Sequence, residues 1–192
     1  VVATKLFRLG EAALSGMALR ERAAPFLRIL MKQTGLTVHL AILARGSAVI
    51  IDKEAAPGIL QLATWVGKRF DLHCTGVGKA LLAYLPEEEF LSTVRSHGLT
   101  RYNENTLTSV KRLASEVASI RHLGYALEDE EGEIGFRCIG APIFDHSGAA
   151  IAAVSVAGTT NQITDANLQL CAKRVVKTAH QISLLLGHSG TP

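Results

Sequence analysis

The chain has 192 residues, of which 48% are hydrophobic and 19% are charged, and its formal net charge is +3. This apolar content excludes a disordered chain, and the length fits one domain of ordinary size better than two. Because 17 acidic residues nearly balance 20 basic ones, charge alone does not provide a nucleic-acid-binding surface.

The N-terminal part of the chain has helical periodicity. Apolar residues in the range 6–30 recur at helical spacing on both sides of Ser15 and Gly16. This pattern predicts two consecutive helices that are separated at Ser15-Gly16. Pro25 lies inside the second pattern, so the second helix either bends at Pro25 or begins there.

Two strands joined by a tight turn are predicted next. Residues 37–43 and 48–52 are rich in β-branched and apolar side chains, and they flank a turn at residues 45–47. This arrangement is typical of a β-hairpin. A further short strand is predicted at residues 59–63.

Three helices are predicted in the middle of the chain. The first begins near Thr75 and ends by Pro86, and Pro86 with the glutamates that follow it begins the second. Thr106 or Thr108 is expected to cap the third, which ends at Gly124.

The last third of the chain is predicted to hold three strands and a long helix. The strands lie near residues 125–128, 137–144 and 149–157, the last two joined by a turn at 145–148, and Thr164 caps the helix. The total is about six strands and about five helices. Because hairpins imply antiparallel pairing, we predict an α+β fold rather than a doubly wound parallel sheet.

A Gly-Lys sequence at a helix start invites comparison with phosphate-binding loops. The stretch Gly76-Val77-Gly78-Lys79 lacks the Ser or Thr that should follow the lysine, since Ala80 stands there. The dinucleotide-binding pattern fails as well. Two interpretations stay open: a plain helix start with small residues, or backbone N–H groups that receive a carboxylate.

Cys138 and Ser155 are candidate reactive or ligand-binding groups within apolar strands. Arg137 next to the cysteine could activate the thiol, but alternation along a strand places the two side chains on opposite faces, so a buried structural thiol is favoured. The Ser155 hydroxyl shares a face with small residues and needs a partner, which is either backbone or a ligand oxygen.

An acidic run at residues 128–133 is expected to be a solvated loop for most of its members. Glu128 differs because it ends a predicted strand and its side chain can enter a pocket. The three cysteines form no CxxC pair, the seven histidines have no metal-ligand spacing, and no uncharged apolar run reaches 18 residues. We expect a cytoplasmic protein without cofactor, metal site or membrane partner.

Several segments, taken together and in order, resemble the effector-binding domain of the IclR-type transcriptional regulators. They are residues 72–83 (LHCTGVGKALLA), 105–107, 121–125, 129–131, 135–142 (GFRCIGAP) and 152–156. The resemblance implies a GAF-like α+β domain with a mainly antiparallel sheet. It also implies a small organic effector, either an organic acid or an aromatic compound, and a homodimer or homotetramer.

The resemblance also implies where the effector binds. The family's polar contacts fall on six positions of this chain, namely Gly76, Val77, Glu128, Cys138, Ser155 and Ala157. An apolar wall is expected from Leu62, Phe70 and Phe136. Two positions depart from the family pattern, because Ala157 stands where a second serine occurs and Glu128 where an aspartate occurs. These departures argue against simple transfer of any one keto-acid specificity.

The domain organisation follows from the same resemblance. Residues 1–19 are expected to belong to a linker helix, 20–187 to the effector-binding domain and 188–192 to a tail. The family's winged helix-turn-helix module is expected to be absent from these residues, so DNA is a partner only through that missing N-terminal domain.

The leading hypothesis is therefore a ligand sensor and not an enzyme, in which effector binding changes the subunit arrangement and thereby DNA binding. One alternative is a thiol- or serine-dependent hydrolase that uses Cys138 or Ser155, although no general base is recognisable. Another is a dimerisation module that binds no ligand.

Overall fold

The computed structural model describes residues 2–58 and 62–190, with side chains described from residue 18 onward. The helices of this part are α1 Val2–Thr34, α2 Gly76–Leu82, α3 Glu87–His97, α4 Val110–Leu123 and α5 Asp165–Leu185. The strands are β1 Thr37–Ala44, β2 Ser47–Glu54, β3 Arg69–Phe70, β4 Ala126–Asp129, β5 Phe136–Phe144 and β6 Ala150–Thr159. Among the helices of the described part, none is both long enough and apolar enough to cross a membrane.

The six strands form one sheet in the order β3-β2-β1-β6-β5-β4, and every neighbouring pair is antiparallel. This confirms the predicted α+β class. The β1–β2 hairpin turns at Arg45 and Gly46, whose φ angles of 51° and 69° are both left-handed. Positive φ at both central residues makes the turn follow the right-handed twist of the strands.

Two apolar cores lie on the two faces of this sheet. Helices α1 and α5 pack on one face, and α2, α3 and α4 pack on the other. Alternation along β6 divides its side chains between them: Val154 and Val156 enter the first core and Ala153 enters the second. Ser155 therefore points to the same side as α2.

Helix α1 is continuous, so the prediction of two helices separated at Ser15-Gly16 is wrong. Pro25 also lies inside the helix without ending it. The reason lies in packing, because Ala23, Leu27 and Leu30 are fully buried in the first core. Burial of an apolar face outweighs the weak helix propensity of single residues.

The short third strand lies later in the chain than predicted. Residues 59–61 of the predicted strand lie outside the described residues, and Leu62 and Ala63 are not part of any strand. The pairing partner of β2 is instead β3, where Ala48 pairs with Phe70. A strand of two residues has too little periodicity to be recognised in a sequence.

The ends of the helices follow their local capping chemistry. Helix α2 begins next to Thr75, as predicted, and the Thr75 hydroxyl accepts a hydrogen bond from the Gly78 N–H. For α4 the expected cap at Thr106 or Thr108 is wrong, because the Ser109 side chain caps the helix. Gly124, with φ of 77°, ends α4 as predicted.

Strand β5 extends beyond its partner β4. The four β4 residues pair only with residues 137–140 of β5. In the remaining part of β5, Pro142 has no N–H group, and the N–H of Phe144 donates to Ser183 Oγ at 2.9 Å. Helix α5 thus closes this end of the sheet.

Candidate functional site

A cavity of about 410 Å³ lies against the α2 face of the sheet. Its walls come from the segment between β2 and β3, the first turn of α2, and residues of all six strands. Cavities of this size hold small organic molecules in many proteins. The topology brings these distant segments together because β1 and β6 are neighbours at the centre of the sheet.

Eight of the nine residues predicted from the family resemblance line this cavity. They are Leu62, Phe70, Val77, Glu128, Phe136, Cys138, Ser155 and Ala157. Their contact with a ligand remains a prediction. The apolar members form one part of the lining, and the polar side chains of Glu128, Cys138 and Ser155 form another.

Gly76, the ninth residue, is not among the lining residues. A Cβ atom at this position would lie 2.8 Å from Cys138 Sγ and 3.1 Å from the backbone nitrogen of Gly140. Gly76 therefore allows the first turn of α2 to cross β5 at close range. This close approach places Val77 and the cap residue Thr75 at the cavity wall.

The Glu128 side chain is buried, with 6% of the residue exposed. Its Oε1 atom accepts hydrogen bonds from the N–H groups of Glu131 at 2.8 Å and Gly132 at 3.2 Å. Burial raises the pKa of Glu128 to about 7, although these two hydrogen bonds oppose the rise. The carboxyl group is therefore poised to change its charge near neutral pH.

Cys138 is a protonated thiol at neutral pH. Burial raises its pKa to about 12, and the negative charge of Glu128 acts in the same direction. The Ser155 hydroxyl and the Gly76 N–H would stabilise a thiolate but only partly offset the burial. A thiol that ionises so weakly is a poor nucleophile, which argues against the hydrolase alternative.

Ser155 is fully buried, and its hydroxyl has no hydrogen-bond partner in the part of the chain that the structure describes. The Cys138 thiol lies near this hydroxyl and would accept from it as a thiolate, but the two groups form no hydrogen bond of standard geometry. The sequence left two possible partners for this hydroxyl, a backbone group or a ligand oxygen. Within the described residues, no backbone group forms a hydrogen bond with it. An unpaired buried hydroxyl is costly, and this one lines a cavity that can hold a partner.

His39 lines the cavity from β1, and the sequence patterns did not single it out. Its Nε2 atom forms a 2.9 Å hydrogen bond with Thr64 Oγ1. Burial, together with the positive charges of Lys53 and Lys68, lowers the pKa of His39 to about 4, so the ring is neutral at pH 7. The alternation of side chains along β1 could have shown that His39 faces inward. Its partner Thr64, 25 positions away, could not be recognised from the sequence.

Tyr102 and Asp71 also line the cavity and were not predicted. The Tyr102 hydroxyl donates a 2.7 Å hydrogen bond to Asp71 Oδ2, which raises the pKa of Tyr102 to about 12. On the neighbouring segment, Lys68 Nζ lies 4.9 Å from the ring centroids of both Trp65 and Phe70. The cavity therefore has a rim of polar and aromatic side chains around its interior.

A comparison with protein families identifies the domain. The sequence profile described as "Bacterial transcriptional regulator IclR C-terminal" matches residues 11–184. The chain belongs to this family. The resemblance found in the sequence motifs is thereby confirmed for nearly the whole IclR-type domain.

Individual relatives agree with this assignment. The HTH-type transcriptional regulator BhcR of Paracoccus denitrificans is 38% identical over 177 residues, which cover 92% of this chain and 63% of that protein. The IclR-type chain thus spans less than two thirds of the length of this relative. The names of this and other curated relatives are those of regulators and repressors, as expected for a domain that is not an enzyme.

Solved structures show the same fold. The crystal structure of the Thermotoga maritima IclR protein matches with a TM-score of 0.87 and 35% identity, covering 96% of this chain and 74% of that one. The inducer-binding domain of PobR from Acinetobacter, solved as a double mutant in complex with 3-hydroxybenzoic acid, matches with a TM-score of 0.77 and 26% identity. That match covers 84% of this chain and 95% of PobR's domain. The GAF-like α+β architecture is thus confirmed for this IclR-type domain.

Proposed function

We propose that this IclR-type domain senses a small organic molecule that binds in the cavity between the sheet and α2. The unpaired hydroxyl of fully buried Ser155 is the observation that carries this proposal. A ligand oxygen that exchanges a hydrogen bond with this hydroxyl removes the cost of an unpaired buried polar group.

The lining favours an organic acid or an aromatic compound as the ligand. Leu62, Phe70 and Phe136 offer apolar surface, whereas Glu128 and Ser155 offer a few convergent polar groups, which is the usual composition of small-molecule sites. The PobR domain of similar fold was solved with 3-hydroxybenzoic acid, a compound that combines both features. This relative supports the choice of hydroxybenzoates as first probes.

The full-length protein, as we propose it, couples this cavity to DNA. A helix-turn-helix module outside the present residues would read the operator, and a homodimer or homotetramer would set the spacing of two such modules. The ligand can shift the equilibrium between two subunit arrangements only if it binds them with different affinities. Coupling free energies of about 1–3 kcal/mol between two sites are usual. Because such a regulator acts on DNA, we propose a cytoplasmic location for the full-length protein.

Isothermal titration calorimetry tests the ligand-binding proposal. The probes are acetate, lactate, benzoate and 3-hydroxybenzoate, added to the wild-type chain and to Ser155→Ala. We expect at least one probe to bind the wild type, and we expect the variant to bind it about tenfold more weakly, since a lost hydrogen bond in a buried site costs about 1–2 kcal/mol.

Ser183→Ala is the matched control, because Ser183 is also a buried serine but lies outside this cavity. Its hydroxyl donates to Ala179 O and accepts from the Phe144 N–H. This variant should lose stability and keep its affinity for the probe. Equal binding by the wild type and Ser155→Ala would contradict the assignment of Ser155 to the ligand site.

A further inference from the structure

Lys79 is the one charged residue of α2, and it has no exposed surface. Its ammonium group donates to Glu131 Oε1 at 2.6 Å, to Glu116 Oε1 at 3.1 Å and to the carbonyl oxygen of Leu127. These three partners use all three hydrogens of the ammonium group. Lys79 is also not among the residues that line the cavity, so it does not serve a bound anion directly.

Two of the three partners of Lys79 belong to the segment that presents Glu128 to the cavity, and the third, Glu116, lies on α4. Leu127 precedes Glu128 in β4, and Glu131 follows it by three positions. The N–H groups of Glu131 and Gly132 in turn donate to Glu128 Oε1. The contacts therefore run from the ammonium group, through the Glu131 residue, to the carboxylate of Glu128.

A second set of contacts fixes the same segment from the other side. Thr106 Oγ1 donates to Glu131 O at 2.7 Å, and Asn103 Nδ2 donates to Glu130 O at 3.0 Å. These bonds hold the backbone carbonyl groups of the segment. In the described part of the chain, the other Glu131 oxygen, Oε2, is buried without a hydrogen-bond partner, while Oε1 accepts the 2.6 Å bond from Lys79.

Helix α2 also contributes to the cavity directly, through residues at its N-terminus. Thr75 and Val77 line the cavity at the start of the helix, and Lys79 lies about half a turn further along. The start of α2 thus forms part of the cavity wall, and the Lys79 side chain of the same helix contacts the segment that carries Glu128. A buried ion pair is seldom favourable for stability alone, so a role in fixing geometry accounts better for its presence.

We propose that Lys79 is a positioning residue of the ligand site, which holds the Glu128 carboxylate at a set distance from the first turn of α2 through Glu131. Its importance for a ligand rests on the proposed function, whereas its effect on Glu128 exists in the ligand-free chain. The proposal also explains the Gly-Lys sequence of α2, whose lysine serves the protein itself rather than a phosphate.

Glu131→Gln and Glu116→Gln form a matched pair of variants, because each removes one carboxylate from Lys79 and only the first lies on the Glu128 segment. Amide hydrogen exchange followed by NMR in the ligand-free chain reports the hydrogen bonds to Glu128. For Glu131→Gln we expect the Gly132 amide to exchange about tenfold faster than in the wild type. For Glu116→Gln we expect a change of less than about twofold.

Lys79→Met supplies a second measurement, the pH titration of the Glu128 side-chain carboxyl carbon. Loss of the lysine charge and of the two backbone hydrogen bonds both favour the protonated carboxyl, so its midpoint should move above about 7. A lysine with only a structural role would lower the melting temperature of this variant but leave the Gly132 amide as protected as before. That result would overturn the proposal.

Binding of the probes separates this proposal from the ligand-sensing function. If the wild type binds 3-hydroxybenzoate, Glu131→Gln should bind it more weakly than Glu116→Gln, and equal affinities would count against Lys79 as a positioning residue. If the wild type binds none of the probes, the proposed function fails. Faster Gly132 exchange in Glu131→Gln alone would then still support the positioning role, and equal exchange in both variants would refute it.

Discussion

At the scale of single residues, Glu128 combines burial with hydrogen bonds that favour its charged form, and burial dominates. Because its pKa rises from 4.5 to about 7 on folding, the folded chain binds a proton more tightly than the unfolded chain does. Glu128 therefore favours folding below pH 4.5, and this contribution is lost as the pH rises towards 7.

Glu128→Gln should remove this pH dependence. We expect the variant to gain stability relative to the wild type as the pH rises from 4.5 to 7, with a total gain on the order of 3 kcal/mol. Urea unfolding at a series of pH values measures the difference. The lowered pKa of His39 makes the stability rise with pH between about 4 and 6.5, which is opposite to the effect of Glu128. Because His39 is present in both proteins, its contribution cancels in the difference between their free energies of unfolding.

The exposed Glu88→Gln variant provides the control for this measurement, since Glu88 lies in the first turn of α3 and away from the cavity. Its stability relative to the wild type is measured across the same pH range and gives the effect of an exposed Glu→Gln change. A Glu128→Gln variant whose relative stability changed with pH no more than that of Glu88→Gln would show that burial does not raise the pKa of Glu128.

The sequence indicated some site residues and missed others for a physical reason. Ser155 and Glu128 stand out locally, because each interrupts or ends an apolar strand pattern. The role of Lys79 was not recognised, since its carboxylate partners lie 37 and 52 positions away. Local periodicity shows that a polar group is unusual, but only the fold shows which group it meets.

At the scale of elements, the crossing of α2 over β5 depends on two glycines that face each other. A Cβ atom on Gly140 would lie 2.4 Å from the backbone oxygen of Gly76. A Cβ atom on Gly76 would instead come closest to a side chain, the thiol of Cys138. Backbone atoms cannot move aside without displacing the whole helix.

Gly140→Ala should therefore destabilise the domain more than Gly76→Ala does. We expect a loss of about 3 kcal/mol or more for Gly140→Ala, and about 1–3 kcal/mol for Gly76→Ala, where the thiol can rotate. Thermal unfolding by circular dichroism measures both. Equal melting temperatures of the two variants would contradict the close crossing of α2 and β5.

Elements with strong periodicity were predicted well, and short or competing ones were not. The hairpin of β1 and β2 and the long helix α5 follow from turn residues and an apolar stripe. The break expected at Ser15-Gly16 did not occur, because tertiary packing can override local propensity. The residues of β3 carry no pattern of their own and become a strand only by pairing with β2.

At the scale of the whole molecule, one sheet lies between two apolar cores and contributes residues to each of them. The central strands β1 and β6 contribute side chains to both cores, so loss of either core exposes residues that support the other. We expect a single cooperative unfolding transition. The fold class was predictable from the hairpins, whereas the strand order was not, because it depends on the long-range pairing of β1 with β6.

Trp65, the single tryptophan of the chain, makes this expectation testable. It lies in the segment beside the cavity, while ellipticity at 222 nm reports the helices on both faces. Urea midpoints from Trp65 fluorescence and from ellipticity should agree within about 0.2 M. An earlier transition of the fluorescence would show that the cavity segment unfolds separately from the cores.

The end of β5 has a consequence for how copies of this chain can meet. Pro142 has no N–H group and Ser183 occupies that of Phe144, while Ile143 directs its own N–H to the opposite side of the strand. The two edge strands of the sheet, β3 and β4, have only two and four residues. Short edge strands and a proline both disfavour pairing with an incoming strand, so the overhanging end of β5 is a poor template for continuation of the sheet into a second copy.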